Sequence, residues 1–508
     1  MNFSGYPFSR FRHFLNIVII VVSMLSCSDD DEPPVAEVIA ITPATALPNS
    51  VVAITGKDFS AVFNENIVSF NGKDALVLNA SSTQLNVVVP ATAETGPVTL
   101  TVRGKQARNQ PGFTVERFSS IINNVSPLSG GYNTVVTITG SNFMEAPGSN
   151  TVTFNGVPAI VESATATILT VKVPERAGSG RVTVNGVAGG ASFTYIPDVY
   201  IAGYIYGKDG IARATYWKNG IQTILGASGQ STEGLDIALA GDDVYVTGFK
   251  TLPSFKVARL WKNGTEMLLS DDKYPSSGEA IFIAGNDVYV AGYDGISLTK
   301  SVAKYWKNGT PVTLTDGTSS TYATGIGVNG QDVYVSGNSQ NDVGTSFATY
   351  WKNGTPHHLS TINSYAWNMF LSGSDIYVTG SERNTGPGIG FVTSWKNNDV
   401  VRLTPGVTGA AGRDVVVSGN DVYVAGVEDN VKYLRVAKYW KNGSPVSLSD
   451  GSHDALAYAI DVIGEDVYVA GAEYNAGGVL VAKLWKNGVP FSITDGGYSA
   501  IAEGLVLR

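Results

Sequence analysis

Cysteine, histidine and charged residues are all scarce in this sequence. Its 508 residues include one cysteine and four histidines, and only 15% are Asp, Glu, Lys or Arg. A single cysteine excludes a disulfide scaffold, and so few Cys and His side chains exclude a zinc site built from several of them. Lys and Arg total 34 against 43 Asp and Glu, which gives a formal charge of −9. This acidic balance, without basic clusters, argues against nucleic acid as a partner.

Glycine and apolar residues, by contrast, are abundant. The chain has 58 glycines, and 43% of its residues are hydrophobic; glycine makes up only ~7% of an average protein. This apolar content is sufficient for packed cores and excludes wholesale disorder. The length corresponds to about three or four domains of ~150 residues. Together these features predict an extracytoplasmic, turn-rich, all-β protein.

The N-terminal residues have the pattern of an export signal. Arg10 and Arg12 precede an apolar run over residues 14–25, and the only cysteine, Cys27, follows it closely. A positive segment followed by ~7–15 apolar residues is typical of a secretory signal, whereas a membrane span needs about 20. The segment resembles a bacterial lipoprotein signal, which implies a signal peptide over residues 1–26 and lipidation of Cys27. Ordinary secretion is the alternative.

Residues 27–34 are predicted to form an acidic tether. Ser28 is followed by three aspartates and Glu32, and two prolines come next. Such an acidic run is usually a solvated linker. Directly after a lipidated cysteine, it resembles the export signal of Bacteroidetes-type surface lipoproteins. This resemblance implies a lipid anchor in the outer membrane and a surface-exposed protein.

The next part of the chain contains one module twice. Ile54-Thr55-Gly56 recurs as Ile138-Thr139-Gly140, and the other shared markers recur at the same offset of 84 residues. Short β-branched runs that end in Gly, with Asn-Gly pairs suited to tight hairpins, are typical of a β-sandwich of ~80–90 residues. The repeat predicts two such domains, over residues 35–116 and 118–196.

The motifs of both modules resemble those of the IPT/TIG family of immunoglobulin-like domains. The resemblance is carried by Ile41-Thr42-Pro43 and Val125-Ser126-Pro127, by the Ile-Thr-Gly-x-x-Phe segments ending at Phe59 and Phe143, and by the Phe-Asn-Gly turns and Val-Pro pairs. It implies an immunoglobulin-like fold without catalysis, used as a spacer or interaction module on cell surfaces. We expect the two domains to form a stalk.

A longer unit recurs seven times over residues 197–508. The Trp-Lys-Asn triplets are spaced by 44 or 45 residues and begin at Trp217, Trp261, Trp306, Trp351, Trp395, Trp440 and Trp485. An Asp-(Val/Ile)-Tyr marker also occurs seven times, and each unit contains four strand patterns. A period of ~40–50 residues with four strands is typical of a β-propeller blade. The sequence therefore predicts a seven-bladed β-propeller.

The phase of the repeat predicts how the ring closes. The first unit begins at Asp198 on its second strand, whereas residues 501–508 have the pattern of a first strand with nothing after it. We expect this C-terminal strand to complete the first blade, because closure removes exposed sheet edges. The alternative is an open solenoid with two unpaired edges.

The invariant residues of the repeat are interpreted as structural. Seven identical Trp, Tyr and Lys positions are better explained by packing between blades and by turn chemistry than by a binding array. The glycosylation sequons at Asn263, Asn308, Asn353 and Asn442 are likewise interpreted primarily as turns, and glycosylation is the secondary interpretation.

Candidate binding residues lie where the units differ. The connections between strands two and three, and from strand four to the next blade, vary in sequence and should share one face. The position six residues before each Gly-x-Asp glycine also varies, and it holds Leu235, Glu279, Thr324, Trp367, Arg413 and Tyr458, with Glu503 on the C-terminal strand. We expect these residues to ring the central mouth. Aromatic stacking faces from Trp367 and Tyr458, with hydrogen bonds from the charged residues, would suit a sugar or a peptide. The alternative is a merely solvated rim.

The sequence favours a binding protein over an enzyme. His357 and His358 are adjacent on a predicted strand and point to opposite faces. The Asp-Gly turns at Asp316, Asp450 and Asp495 lack the alternating oxygen ligands of a calcium loop. We therefore expect no cofactor and no metal, with extracellular polysaccharide or protein as the ligand. One alternative is a glycan-degrading enzyme that uses Glu279 and Glu503; another is a structural or adhesion protein.

Overall fold

The computed structural model describes residues 34–116, 119–227, 229–341, 344–383 and 390–508. The predicted signal peptide, Cys27 and tether residues 27–33 lie outside this part of the chain. The chain divides into two compact units, Met1–Phe118 and Ser119–Arg508. The helices among the described residues are two single 3₁₀ turns, Phe63–Glu65 and Pro147–Ser149. Accordingly, no helix in the described ranges is long and apolar enough to cross a membrane.

The first unit is a β-sandwich of nine strands. Alternating residues along its strands are buried, as Val51–Lys57 shows with Val52, Ile54 and Gly56 inside. Phe70 and Phe113 meet edge to face in its core, with ring centroids 4.9 Å apart. The strands are β1 Glu37–Thr42, β2 Thr45–Ala46, β3 Val51–Lys57, β4 Asn66–Phe70, β5 Lys73–Ala80, β6 Gln84–Val88, β7 Gly96–Val102, β8 Lys105–Gln106 and β9 Gly112–Val115.

The second unit begins with a second sandwich of the same topology. Its sheet order, β10-β12-β15-β14-β13-β16-β17-β11, repeats the order β1-β3-β6-β5-β4-β7-β9-β2 of the first. Phe154 and Phe193 meet edge to face at 5.0 Å, as Phe70 and Phe113 do in the first sandwich. The strands are β10 Ile121–Ser126, β11 Ser129–Gly130, β12 Val135–Ser141, β13 Val152–Phe154, β14 Val157–Ala164, β15 Ile168–Lys172, β16 Gly180–Val184 and β17 Val187–Tyr195.

The rest of the second unit is a seven-bladed β-propeller, as predicted. Each blade is a four-stranded antiparallel sheet. The propeller strands in the first half of the ring, in chain order, are β18 Val199–Tyr206, β19 Ala212–Lys218, β20 Ile221–Ile224, β21 Ser231–Ala240, β22 Asp243–Thr251, β23 Lys256–Lys262, β24 Thr265–Leu268, β25 Ser276–Ala284, β26 Asp287–Gly295, β27 Ser301–Lys307, β28 Thr310–Thr313, β29 Tyr322–Asn329, β30 Asp332–Gln340 and β31 Ser346–Lys352. The remaining strands are β32 Thr355–His358, β33 Ser364–Ser372, β34 Asp375–Arg383, β35 Gly390–Lys396, β36 Asp399–Arg402, β37 Ala410–Ser418, β38 Asp421–Asp429, β39 Arg435–Lys441, β40 Ser444–Ser447, β41 Ala455–Ile463, β42 Asp466–Tyr474, β43 Leu480–Lys486, β44 Val489–Ser492 and β45 Ala500–Leu507.

The C-terminal strand closes the ring. Strand β45 pairs antiparallel with β18, so that the first blade has the order β20-β19-β18-β45. The Asp198 N–H donates to the Arg508 carbonyl at 2.7 Å, and the Arg508 N–H donates to the Asp198 carbonyl at 2.9 Å. The predicted closure is therefore confirmed, and the open solenoid is wrong.

The invariant residues form the same network in every blade. The seven repeat tryptophans are at most 1% exposed. In the second blade, the Lys262 ammonium pairs with Asp243 at 2.7 Å and lies 5.2 Å from the Tyr245 ring centroid. Asn263 donates to Asp243 at 2.7 Å, and its own backbone has the positive φ of the hairpin turn. The other blades repeat the Lys–Asp, Asn–Asp and Lys–Tyr contacts, which confirms the packing interpretation.

The innermost strand of every blade contains a β-bulge. These inner strands are β21, β25, β29, β33, β37, β41 and β45, and each has one residue without a partner opposite it. Beside each bulge lies the glycine that ends the motif Asp-(Val/Ile)-Tyr-(Val/Ile)-x-Gly. A Cβ on Gly203, for example, would overlap the carbonyl oxygen of Ile501. The bulge therefore requires glycine at this position.

The second sandwich packs against one end of the propeller. Nη1 of Arg176 donates to Asp461 Oδ2 at 2.8 Å and to the Leu507 carbonyl at 2.9 Å. Its Nη2 donates to Asp461 Oδ1 at 2.6 Å and to the Val462 carbonyl at 2.8 Å. A side chain at Gly178 would meet the backbone of Gly464. One cluster of buried apolar residues runs through the sandwich and the adjoining blades, so the sandwich and the propeller share a core.

Replacing Gly203 by Ala should loosen ring closure. The added methyl overlaps the Ile501 carbonyl and pushes β18 away from β45. We expect the free energy of unfolding to fall by about 2 kcal/mol or more, measured by denaturant unfolding. Gly220→Ala is the control, because Gly220 lies in a turn of the same blade with open space around it and should cost only about 1 kcal/mol, since its φ is positive. Equal losses in the two variants would contradict the role of the bulge.

Candidate functional site

The two ends of the propeller differ in construction. The inner strands begin at one end, the loop end, where the connections vary. They finish at the other, the turn end, where every inner strand except β45 leads into a Gly-x-Asp turn. Arg176 and Gly178 of the second sandwich contact the turn end, at Asp461 and Gly464. The loop end is therefore the end opposite to the sandwich.

All seven residues predicted to ring the mouth line one cavity of about 120 Å³ toward the loop end. Each is the unpaired residue of its inner-strand bulge. In β21, for example, Gly234 pairs with Gly248 and Asp236 with Thr247, which leaves Leu235 without a partner. A bulge re-aims a side chain that regular pairing would direct into the sheet packing. The structure thus brings the predicted residues together, while ligand binding by them stays a prediction.

One wall of the cavity is a cation held between aromatic rings. The Arg413 guanidinium lies 4.2 Å from the Trp367 ring centroid and 5.6 Å from that of Tyr458. The sequence predicted these two rings as open stacking faces. The structure instead fills the space between them with Arg413, since a cation is attracted to the face of an aromatic ring. Burial is the main cause that raises the pKa of Tyr458 to about 12, and the nearby Glu503 adds to it.

The opposite wall is acidic. Glu503 and Glu279 line the cavity, and Glu233 lies close enough to both to interact electrostatically with them. Burial is the main cause that raises the pKa of Glu503 to about 8; Arg413 opposes this shift, and Glu233 and Glu279 add to it. Burial and the charge of Glu279 also raise the pKa of Glu233, against the effect of Lys256. Glu503 is therefore protonated at neutral pH.

Thr324 and Leu235 complete the ring. The Thr324 hydroxyl donates to the Ala366 carbonyl of the next inner strand at 3.1 Å. This hydrogen bond joins two neighbouring blades, so the hydroxyl contributes to the stability of the propeller. Leu235 adds the one aliphatic side chain among the seven residues.

Sequence reasoning missed the floor of the cavity, which is polar. Asp236 accepts the Ile281 N–H of the next blade at 2.9 Å, and Asp414 accepts the Ile460 N–H of its neighbour at 2.8 Å. Asn368 donates to Asp414 at 2.8 Å. Burial is the main cause that raises the pKa of Asp236 to about 6 and that of Asp414 to about 7. Asp236, Asn368 and Asp414 lie five residues before the turn glycines, directly after the predicted ring residues. The other blades have a small residue at this position, so the polar side chains were the signal in the sequence that could have identified the floor.

The same floor also bounds a wider cavity on the turn-end side. That cavity has a volume of about 850 Å³ and includes Asp236, Asn368 and Asp414. Its walls are formed mainly by aliphatic side chains of the inner strands, with Glu175 and Arg176 of the second sandwich at its edge. The central channel is thus divided into a small polar cavity and a large, more apolar one.

The other residues considered for chemistry have structural contacts. His357 stacks on Tyr350 at 4.7 Å, whereas the His358 ring nitrogen hydrogen-bonds the Thr349 hydroxyl at 3.1 Å. The two histidines therefore point to opposite faces of their strand, as expected. The carboxylates of Asp316, Asp450 and Asp495 accept backbone N–H groups of their own turns. Among the described residues, no group of three or more His, Cys, Asp or Glu is arranged to hold a metal ion.

Comparison with known families identifies the two sandwiches. Residues 36–115 and 120–197 match the model of the IPT/TIG domain. The resemblance based on the sequence motifs is confirmed, and the chain contains two IPT/TIG domains followed by the seven-bladed propeller. No curated protein matches the chain.

Several solved structures from Bacteroides species are similar to the chain at low identity. A structural genomics protein of unknown function from Bacteroides thetaiotaomicron is 12% identical, with a TM-score of 0.46, over 73% of this chain and 98% of its own. An auxiliary nutrient binding protein from that organism is 13% identical, with a TM-score of 0.29, over 69% and 95%. Another from Bacteroides ovatus is 14% identical, with a TM-score of 0.28, over 70% and 96%. These TM-scores are below 0.5, so the similarities carry no inference about the ligand.

The raised pKa of Glu503 predicts a pH-dependent effect on stability. A carboxyl group whose pKa is higher in the folded than in the unfolded state makes the folded protein less stable as the pH rises. For Glu503, the free energy of unfolding therefore falls between pH 4.5, the ordinary pKa, and about pH 8. Glu503→Gln removes this loss. We expect the melting temperature of the variant to exceed that of the wild type by a few degrees at pH 8.5, with little difference at pH 4.5, in calorimetric scans.

The control for this measurement is Glu465→Gln, which changes an exposed carboxylate at the turn end. Its melting temperature should follow the wild type at every pH. A difference between wild type and Glu503→Gln that stays constant from pH 4.5 to 8.5 would contradict the buried-carboxyl interpretation.

Proposed function

We propose that this protein is a binding module whose ligand inserts a terminal group into the loop-end cavity of the propeller. The observation that carries the proposal is the set of seven bulges. The blades are nearly identical in their packing residues, yet their seven bulges present six different residue types, with glutamate at two of them. Diverse side chains gathered in one cavity, on a scaffold of uniform blades, are suited to selective recognition.

The size of the cavity indicates how the ligand binds. Sites that enclose a whole drug-sized molecule have volumes of about 300–1,000 Å³, whereas this cavity measures about 120 Å³. It accepts one terminal group of a larger molecule, whose remainder would lie across the variable loops. A polysaccharide or a protein fits this description. The contact of the second IPT/TIG domain with the turn end supports the proposal, because this domain then does not cover the loop end.

We also propose that the protein is anchored at the cell surface by lipid on Cys27. The apolar run before Cys27 and the acidic residues after it support this location. A surface anchor places a binding protein next to extracellular polymers.

Replacing Cys27 by Ala should abolish the anchor. In cells of a native or related host, we expect the wild type in the outer-membrane fraction and accessible to added protease, and Cys27→Ala in the soluble fraction. Cys27→Ser is the conservative companion variant and should behave in the same way. Membrane association of both variants at the wild-type level would contradict lipidation at this residue.

A glycan-degrading activity is the second candidate. Glu503, whose pKa is raised to about 8, shares the cavity with Glu279, and glycosidases act through a pair of carboxyl groups. Release of shortened oligosaccharides by the wild type, lost in both Glu279→Gln and Glu503→Gln, would favour the enzyme over the binding module.

The binding proposal is tested on a glycan array. Trp367→Ala and Arg413→Ala each dismantle the aromatic–cation wall, so we expect affinity for a bound glycan to fall at least tenfold, or about 1.4 kcal/mol. Phe491→Ala is the control, because Phe491 is an exposed aromatic residue on the outer strand β44. Unchanged affinity in both cavity variants for a glycan that the wild type binds would contradict this site.

A further inference from the structure

The cation of the loop-end cavity has hydrogen-bond donors without acceptors. Arg413 lines this cavity, and its Nε is sealed from solvent without a hydrogen-bond partner. Its two Nη groups are not sealed in this way, yet they donate no hydrogen bond to any residue that the structure describes. A guanidinium has five N–H donors in a planar fork, so the whole fork lacks protein acceptors in the described part of the chain. Buried polar groups are usually paired, and a charged group left without a partner is costly.

The two aromatic rings beside Arg413 stabilise its charge but do not replace these acceptors. The guanidinium lies 4.2 Å from the Trp367 ring centroid and 5.6 Å from that of Tyr458. An aromatic face attracts a cation, whereas it is only a weak acceptor for an N–H group. The rings therefore hold the fork in place, and an oxygen atom from a ligand in the cavity would complete it.

The charges around the fork indicate that this acceptor is neutral. Arg413 lies close enough to Glu503 to offset negative charge there, and Lys256 does the same for Glu233. An anionic ligand would add negative charge beside Glu279, which lines the same cavity, and above the aspartates of the floor. Like charges brought together in this way repel. A neutral oxygen acceptor avoids that repulsion.

We propose that the terminal group which enters this cavity is the acetamido group of an N-acetylated amino sugar. The inference rests on the proposed binding function and names the chemistry of its ligand. An amide carbonyl is a neutral acceptor with two lone pairs, so it accepts N–H groups from the fork of Arg413. The acetyl methyl group fits the aliphatic part of the lining, which consists of Leu235, Ala459 and Leu505. A group of this size suits a cavity of about 120 Å³.

Two other neutral groups match the lining less well. A hydroxyl of an unmodified sugar also accepts hydrogen bonds, but it has no methyl group to place against the aliphatic side chains. An acetylated lysine has the same acetamido group at the end of four methylenes, and these would leave the polar groups around the cavity without partners. An amino sugar has hydroxyl groups next to its acetamido group instead, so the cavity favours the saccharide.

The experiment compares tetrasaccharides that differ only in the group on C2 of each sugar. Isothermal titration calorimetry with the full chain uses the β-1,4-linked tetramers of N-acetylglucosamine, glucosamine and glucose. We expect the N-acetylated tetramer to bind about tenfold or more tighter than either of the others, because it alone supplies the amide carbonyl. In saturation-transfer NMR, its acetyl methyl protons should receive the strongest saturation from the protein.

Replacing Arg413 by Lys tests the fork separately from its charge. Arg413→Lys keeps the positive charge but loses the planar set of donors. We expect about tenfold or more loss of affinity for the N-acetylated tetramer, and its preference over the glucose tetramer should largely disappear. A merely structural role of Arg413 would leave that preference unchanged. Arg181→Lys, an exposed arginine on β16 of the second IPT/TIG domain, is the matched control and should keep both. Melting curves of each variant verify folding.

The outcomes separate this inference from the proposed function. Tighter binding of the glucose or glucosamine tetramer, or of a galacturonic acid tetramer, with affinity lost in Trp367→Ala, would overturn the acetamido inference and leave the binding function intact. Tighter binding of a tetrapeptide that contains acetyl-lysine would overturn the choice of a saccharide. Absence of binding by every acetamido probe, or full affinity and preference in Arg413→Lys, would overturn the inference outright.

Discussion

The bulge in each inner strand is the constraint on which the central channel depends. A regular antiparallel ladder alternates its side chains between the two faces of a blade, and both faces of a propeller blade are buried against neighbours. One extra residue breaks this alternation and leaves a side chain free to point elsewhere. Seven bulges at the same level of the ring direct seven side chains into one cavity. The motif glycine on the adjacent strand keeps that geometry, because a Cβ there would overlap the carbonyl oxygen of the residue two positions before the bulge residue.

The carboxyl groups of the channel fall into two kinds. Asp236, Asp414 and Asp461 accept backbone N–H groups of the next inner strand, so their charge joins neighbouring blades. Glu503 and Glu279, one level nearer the loop end, line the cavity without such donors. Both kinds sit close to the propeller axis, yet only the aspartates join neighbouring inner strands. The distinction rests on hydrogen bonds rather than on residue type.

Arg176 gives the propeller a defined orientation relative to the second IPT/TIG domain. Its four hydrogen bonds reach Asp461 and two carbonyls at the turn end. Asp461 also accepts the Leu507 N–H of the closing strand, so the domain contact and the ring closure share one carboxylate. The consequence is a loop end that faces away from the domain, with the variable connections around its mouth.

The periodic part of the fold was determined by the sequence alone. Constant spacings of Trp-Lys-Asn and Asp-Val-Tyr set the blade number, and the offset of one strand between Asp198 and residues 501–508 set the closure, because each repeat must bury the same faces as its neighbours. The position of the ring residues followed from the same counting. What surrounds those residues was decided by tertiary structure: Arg413 occupies the space between Trp367 and Tyr458, Glu233 lies near Glu279 and Glu503, and Asp236 and Asp414 form the floor. These contacts join residues of different blades, and their geometry depends on bulges and on burial, neither of which a linear pattern encodes.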